Sequence, residues 1–278
     1  MTDATWREGT PPPLPGPQGL REWLRVVRRG LPAVLVLLLG VLLILPLRGV
    51  ERLLHGRRRP WTGPHVQWVC RLVLICLGIA WRREGQPLHG PGAVVANHSS
   101  WLDILVLNAA LPVFFVSKAE VAGWPGINIL TRVTDTHFVT RDPRLARAQA
   151  QEFAARVRAG HRLLFFPEGT STDGRRVLPF KPTLFQGFLD PDLPQDLAIQ
   201  PVTAVYQAPP GRDPRFYGWW SDMDLGPHLL TVLAAKRQGS VVVRLHQPIP
   251  VVGESRKSLS AACQFAVSSG FRQVGHSR

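Results

Sequence analysis

Cysteine is scarce: the 278-residue chain holds three, Cys70, Cys76 and Cys263. They form no CxxC pair and leave one over, which argues against a disulfide framework or a zinc site and for a reducing compartment. Cys70 and Cys76 lie inside an apolar segment, where a thiol serves as a small buried hydrophobe. Acidic residues are also few, 19 Asp and Glu against 33 Lys and Arg, giving a formal charge of +14. That balance attracts polyanions, either nucleic acid or an anionic membrane surface. No nucleic-acid module signature and no internal repeat is present, and the basic residues flank apolar stretches. The expected partner is therefore membrane lipid, not nucleic acid. The first apolar run has no small-x-small cleavage site after it, which separates it from a secretory signal.

What is present is unevenly spread. Residues 1–20 are rich in Pro and Gly and read as a disordered tail. Arg21, Arg25, Arg28 and Arg29 lead into residues 31–47, a charge-free run just long enough to cross a bilayer. A second apolar stretch, 66–81, is interrupted by Arg71 and closed by Arg82 and Arg83, with Arg57, Arg58 and Arg59 between the two. Basic residues at both ends of both segments fit two helices dipping into one leaflet as well as two spans. Residues 21–84 are thus expected to form a membrane-anchoring helical hairpin. The domain after the hairpin would stay on the starting side, taken to be the cytoplasmic face of an inner membrane.

From about residue 90 the texture changes. Strand-like runs occupy 92–96, 113–116, 162–166, 197–205 and 240–245. Asp142 and Pro143 open a helix that carries Ala146, Ala150, Phe153, Ala154 and Val157 on one face and closes at Gly160. The alternation predicts an α/β class over residues 85–278: a mixed, mostly buried sheet flanked by helices, preceded by the membrane-associated two-helix segment.

Three polar clusters interrupt this apolar pattern. In the first, the strand at 92–96 runs into Asn97, His98, Ser99, Ser100, Trp101, Leu102 and Asp103. On one continuous helix His98 and Asp103 would point about 140° apart, at about 100° per residue. They meet only if His98 sits in the loop and Asp103 in the first helical turn. Ser100 and Asp103 also read as an ordinary helix cap beside an incidental histidine. In the second, Thr136, His137, Phe138, Val139 and Thr140 end in Arg141, whose planar fork suits a phosphate or carboxylate. In the third, the strand at 162–166 runs into Pro167, Glu168, Gly169 and Thr170, where glycine allows close backbone approach and its neighbours can hydrogen-bond a headgroup.

Taken in this order, Asn97-His98-x4-Asp103, Phe138-Val139-Thr140-Arg141 and Phe166-Pro167-Glu168-Gly169-Thr170 resemble the lysophospholipid acyltransferase family that includes the 1-acylglycerol-3-phosphate acyltransferases. Ser117, Lys118, Ala119 and Glu120 with Trp124 and Pro125, and the run Ile199-Gln200-Pro201-Val202, are similar to further segments of that family. The resemblance spans roughly 65–205. The run 178–185 and the tail with Gly226, Pro227 and His228 look most like the bacterial subgroup containing lyso-ornithine-lipid O-acyltransferases. Asp135, Thr136 and Thr140 depart from the usual surroundings of the second motif, which bears on the headgroup more than on the chemistry.

The resemblance implies acyl transfer from a thioester to a lysolipid hydroxyl, in which imidazole serves as base. His98 would take the proton while Asp103 orients the ring. Arg141, Glu168, Gly169 and Thr170 would bind the acceptor, lysophosphatidic acid or lyso-ornithine lipid. No metal or cofactor is implied; acyl-CoA or acyl-carrier protein enters as co-substrate. Three alternatives stay open: a phospholipid–lysophospholipid transacylase, a serine-type lipid hydrolase using Ser99 or Ser100, and a non-enzymatic membrane-binding protein. No G-x-S-x-G elbow surrounds those serines.

Overall fold

The computed structural model describes residues 6–90, 92–118, 136–139, 144 and 146–276. Arg141 and the Asp142–Pro143 helix start lie outside the described residues.

The apolar N-terminal part is helical. α1 runs from Leu20 to His55, 36 residues with Pro32 and Pro46 inside it, and is long and apolar enough to cross a membrane by length and composition. Most of its large apolar side chains, Leu35, Leu38, Leu39, Leu42 and Leu43 among them, face outward. α2 spans Thr62–Leu77 and begins where the buried Glu51 of α1 accepts the Trp61 and Thr62 main-chain N–H groups at 2.5 and 2.8 Å. The second apolar stretch does not stay helical to residue 81. Gly78 adopts φ 74°, and Ile79 N–H donates to Leu74 O at 3.1 Å, a left-handed stop that glycine takes without strain. Trp81 consequently falls in β1, Ala80–Glu84, which belongs to the sheet.

The remaining strands are β2 (Gly92–Ala96), β3 (Phe114–Lys118), β4 (His137–Val139), β5 (Leu163–Phe165), β6 (Ala198–Gln207), β7 (Ser240–Leu245) and β8 (Ile249–Pro250). They form one mixed sheet of order β1-β7-β6-β2-β5-β3-β4, with β8 beside β6. β6 is antiparallel to β7 and β8; the other pairs are parallel. Helices cover both faces, so the predicted α/β class holds. Alternating residues of β2 show why. Val94 and Ala96 join the core under α2 and α3 (Asp103–Ala110), whereas Ala93 and Val95 join the core with Ala154 and Val157 of α4 (Ala146–Arg158). A short 3-10 segment, Pro182–Leu189, and Leu259, Cys263 and Val267 of α6 (Arg256–His276) complete that second layer. All five β2 residues are buried, as a strand covered on two sides requires.

β2 pairs in parallel with both β5 and β6, so the loops leaving β2 and β5 emerge side by side. Two of the contacts that tie the N-terminal helices to this body matter most for the site. Arg29 donates to the Leu233 and Ala235 carbonyls at 2.7 and 2.6 Å, and Arg25 to Ala234 O at 2.7 Å, at the C-terminus of α5 (Leu225–Ala234). α2 packs on α3 through Cys70, Val73, Leu74 and Leu77.

Candidate active site

The turn after β2 brings His98 and Asp103 together in the way their spacing demands, His98 in the loop and Asp103 as the first residue of α3. His98 Nδ1 lies 2.7 Å from Asp103 Oδ2. Because a carboxylate only accepts, Nδ1–H is the donor in this bond, and in the neutral imidazole the lone pair is on Nε2. The same carboxyl oxygen accepts the Ser99 and Ser100 main-chain N–H groups at 2.8 and 3.0 Å. The capping expectation and the dyad expectation are therefore one geometry: a helix-start carboxylate that gathers the preceding loop also grips its histidine.

The other Asp103 oxygen, Oδ1, accepts the Tyr206 hydroxyl at 2.6 Å. Tyr206 sits on β6, buried, and burial followed by the Asp103 charge holds its hydroxyl well above the ordinary range, so it stays a donor. Sequence reasoning missed this residue. Its signal is nonetheless present, since it shares a face with Val202 and Ala204 toward α3, and a buried tyrosine at a strand end needs a partner for its hydroxyl. Asp103 itself is fully buried, while the His98 side chain is 21% exposed. Phe166 stacks on the imidazole at 4.0 Å between centroids and 12° between planes, which leaves the ring little freedom to turn.

Glu168 comes to the same place but faces inward. Its two oxygens accept the main-chain N–H groups of His98 and Leu178, each at 2.7 Å. Burial pushes its carboxyl up to about 8, against the opposing pull of those two bonds. Glu168 thus pins the backbone of His98. Gly169 turns with φ 73°, and the Thr170 hydroxyl oxygen accepts the Trp6 main-chain N–H at 3.1 Å. Thr172 N–H donates to His98 O at 3.0 Å and Trp219 N–H to Ser99 O at 2.8 Å, so the loops leaving β5 and β6 both fix the turn.

Ser99 and Ser100 are buried, and their hydroxyls take contacts from Asn97 Nδ2 and Leu102 N–H. Among the described residues neither hydroxyl bonds to His98, so the arrangement lacks a serine nucleophile set against its base. His228 supports the turn from outside. Its Nδ1 accepts the Trp101 indole N–H at 2.9 Å and its Nε2 faces Phe216 O at 3.2 Å, the neutral tautomer. Burial lowers its pKa to about 4.

Comparison with known proteins places this geometry in context. Residues 81–205 match the family model described as Acyltransferase. The chain is 50% identical over 274 residues to a lyso-ornithine lipid O-acyltransferase of Rhodobacter capsulatus, covering 98% of this chain and 99% of that one. It is 35% identical to the Pseudomonas aeruginosa protein of the same description, over 89% of this chain and 92% of the other. In fold it is similar to the crystal structure of the 1-acyl-sn-glycerophosphate acyltransferase PlsC of Thermotoga maritima, with TM-score 0.67, 20% identity, and coverage of 93% of this chain and 98% of that one.

Proposed function

The chain belongs to the acyltransferase family, and from that premise we propose that it is a membrane-bound O-acyltransferase moving a fatty acyl chain from an acyl thioester to the hydroxyl of lyso-ornithine lipid. The observation that carries the chemistry is the 2.7 Å bond between His98 Nδ1 and the buried Asp103 carboxylate. It leaves Nε2 as the base. In the proposed step Nε2 takes the proton of the acceptor hydroxyl as that oxygen attacks the thioester carbonyl carbon. The tetrahedral intermediate collapses, the C–S bond breaks, and the imidazolium returns its proton to the leaving thiolate. The Asp103 carboxylate stabilises the imidazolium, a division of labour familiar from Ser-His-Asp sites, here without the serine. The acceptor assignment rests on the two relatives of that description; lysophosphatidic acid is the alternative acceptor, suggested by the wider family.

The donor is proposed to be acyl-CoA or acyl-carrier protein, drawn in by the positive field of a chain with a formal charge of +14. α1 is proposed as the anchor in the inner membrane, with the catalytic sheet on the cytoplasmic side. Purified protein given a labelled acyl thioester and a panel of lysolipids should form the diacylated ornithine lipid. His98→Ala should lose at least about 10²-fold in turnover while still sedimenting with vesicles. Transfer without a thioester donor would instead mark a transacylase, and near-normal turnover by His98→Ala would remove the histidine from the mechanism.

A further inference from the structure

Residues 6–16 lie against the Thr170 side of the site, and the acyl-transfer step above makes no use of them. Besides the Trp6 main-chain N–H on Thr170, the Trp6 indole packs beside Trp220, 6.2 Å between ring centroids, in a cluster with Met223, Leu14 and Leu178. The Arg176 guanidinium stands 5.0 Å from the Trp6 ring centroid. Arg215 Nη1 donates to Thr10 O at 3.1 Å. The wall this segment leans on is the wall of the site, since Leu178 is held by Glu168 and Trp219, next to Trp220, by Ser99.

Two observations indicate what the segment does there. The indole N–H groups of Trp6 and Trp220 are both buried, 9% and 1% exposed by residue, and neither has a hydrogen-bond acceptor among the described residues. A purely apolar plug would avoid that penalty with phenylalanine. Two unused donors on neighbouring rings suit the oxygens of an anionic group. Second, three arginines in and around the segment each face a carboxylate. Arg7 faces Asp222 at 3.8 Å, Arg176 faces Asp173 at 3.1 Å and Glu8 at 3.8 Å, and Arg215 faces Asp213 at 2.8 Å. A phosphate dianion calls for excess positive charge, whereas a rim of alternating sign matches a headgroup bearing both a carboxylate and an ammonium.

We infer that residues 6–16 form a strap that completes the acceptor site, with Trp6 and Trp220 donating to the headgroup carboxylate and Glu8 and Asp222 meeting its ammonium. This rests on the lysolipid acceptor proposed above and adds that the strap selects a zwitterionic amino-acid headgroup over a phosphate.

The test compares the full chain, a chain lacking residues 1–16, and Trp6→Phe, each with acyl-CoA as donor and with lyso-ornithine lipid or lysophosphatidic acid in detergent micelles. Truncation should raise the acceptor KM for lyso-ornithine lipid about tenfold or more, leave the donor KM within about twofold, and abolish the preference over lysophosphatidic acid. Trp6→Phe keeps the ring and should show the same split more weakly at an unchanged melting temperature. Unchanged acceptor KM and preference in both variants would overturn the strap. So would a rise in kcat on truncation, the sign of an inhibitory lid, or a full chain that prefers lysophosphatidic acid. A full chain that acylates neither lysolipid would overturn the acceptor reading itself, and is distinguishable because it fails before any variant is compared.

Discussion

At the scale of single residues, the Asp103 carboxylate is the most heavily engaged group, accepting from His98, Ser99, Ser100 and Tyr206. Tyr206→Phe removes one of these donors and leaves a buried carboxylate oxygen unpaired. We expect a loss of about 1–3 kcal/mol in stability and a fall in kcat with donor KM unchanged, read by thermal melts and initial rates. A variant as stable and as fast as the parent would show that Tyr206 does not hold the dyad. His228 makes a pH prediction. Its folded pKa is depressed to about 4 by burial, so in acid the unfolded chain takes up this proton first. Its contribution is fully present above about pH 6.5 and is lost as pH falls toward 4, up to about 3 kcal/mol. His228→Gln should flatten the melting temperature across that window; an unchanged slope would assign it to other groups.

At the scale of elements, what matters is how helices end and what holds the ends. α2 stops at Gly78 because a left-handed residue there satisfies the last carbonyls, and that stop releases β1 into the sheet. α5 ends against α1, where Arg29 occupies two carbonyls and Arg25 a third. Arg29→Met keeps an apolar stem but strips the charge-assisted bonds, which are worth about 1.5–3 kcal/mol each to a buried partner. A fall of several degrees in melting temperature is expected, together with faster proteolysis between α1 and the sheet. If neither changes, the Arg29 bonds do not hold α1 to the sheet.

At the scale of the whole molecule, an outward-facing apolar helix is joined to an α/β body in a chain with a formal charge of +14. In α1, Leu38 and Leu42 are 61% and 65% exposed, which water would not favour and lipid would. Leu38→Arg with Leu42→Arg places two charges mid-helix, at about 2.5–3.5 kcal/mol each on insertion scales. The doubly substituted chain should move from the membrane pellet to the supernatant while its sheet stays folded. Persistent pelleting would locate the membrane contact elsewhere.

Local pattern alone was enough for much of this protein. The buried runs at 92–96, 162–166, 197–205 and 240–245 announce strands because fully covered strands are continuously apolar, and Asn97 to Asp103 announces a polar corner on a helix start. The family followed from three clusters in order, confirmed by a relative 50% identical along nearly the whole chain. Other features required the fold. Tyr206 lies 103 residues from Asp103, and no local pattern says that β6 runs beside β2 and delivers that hydroxyl to the dyad. Glu168 meets the main chain of both His98 and Leu178 because the loops after β2 and β5 close over it. Trp6 meets Thr170 across 164 positions, and a Pro-rich tail carries no sign of what it will lie against. Spacing along the chain fixes which groups share a turn; only long-range strand order and loop packing decide which turns share a site.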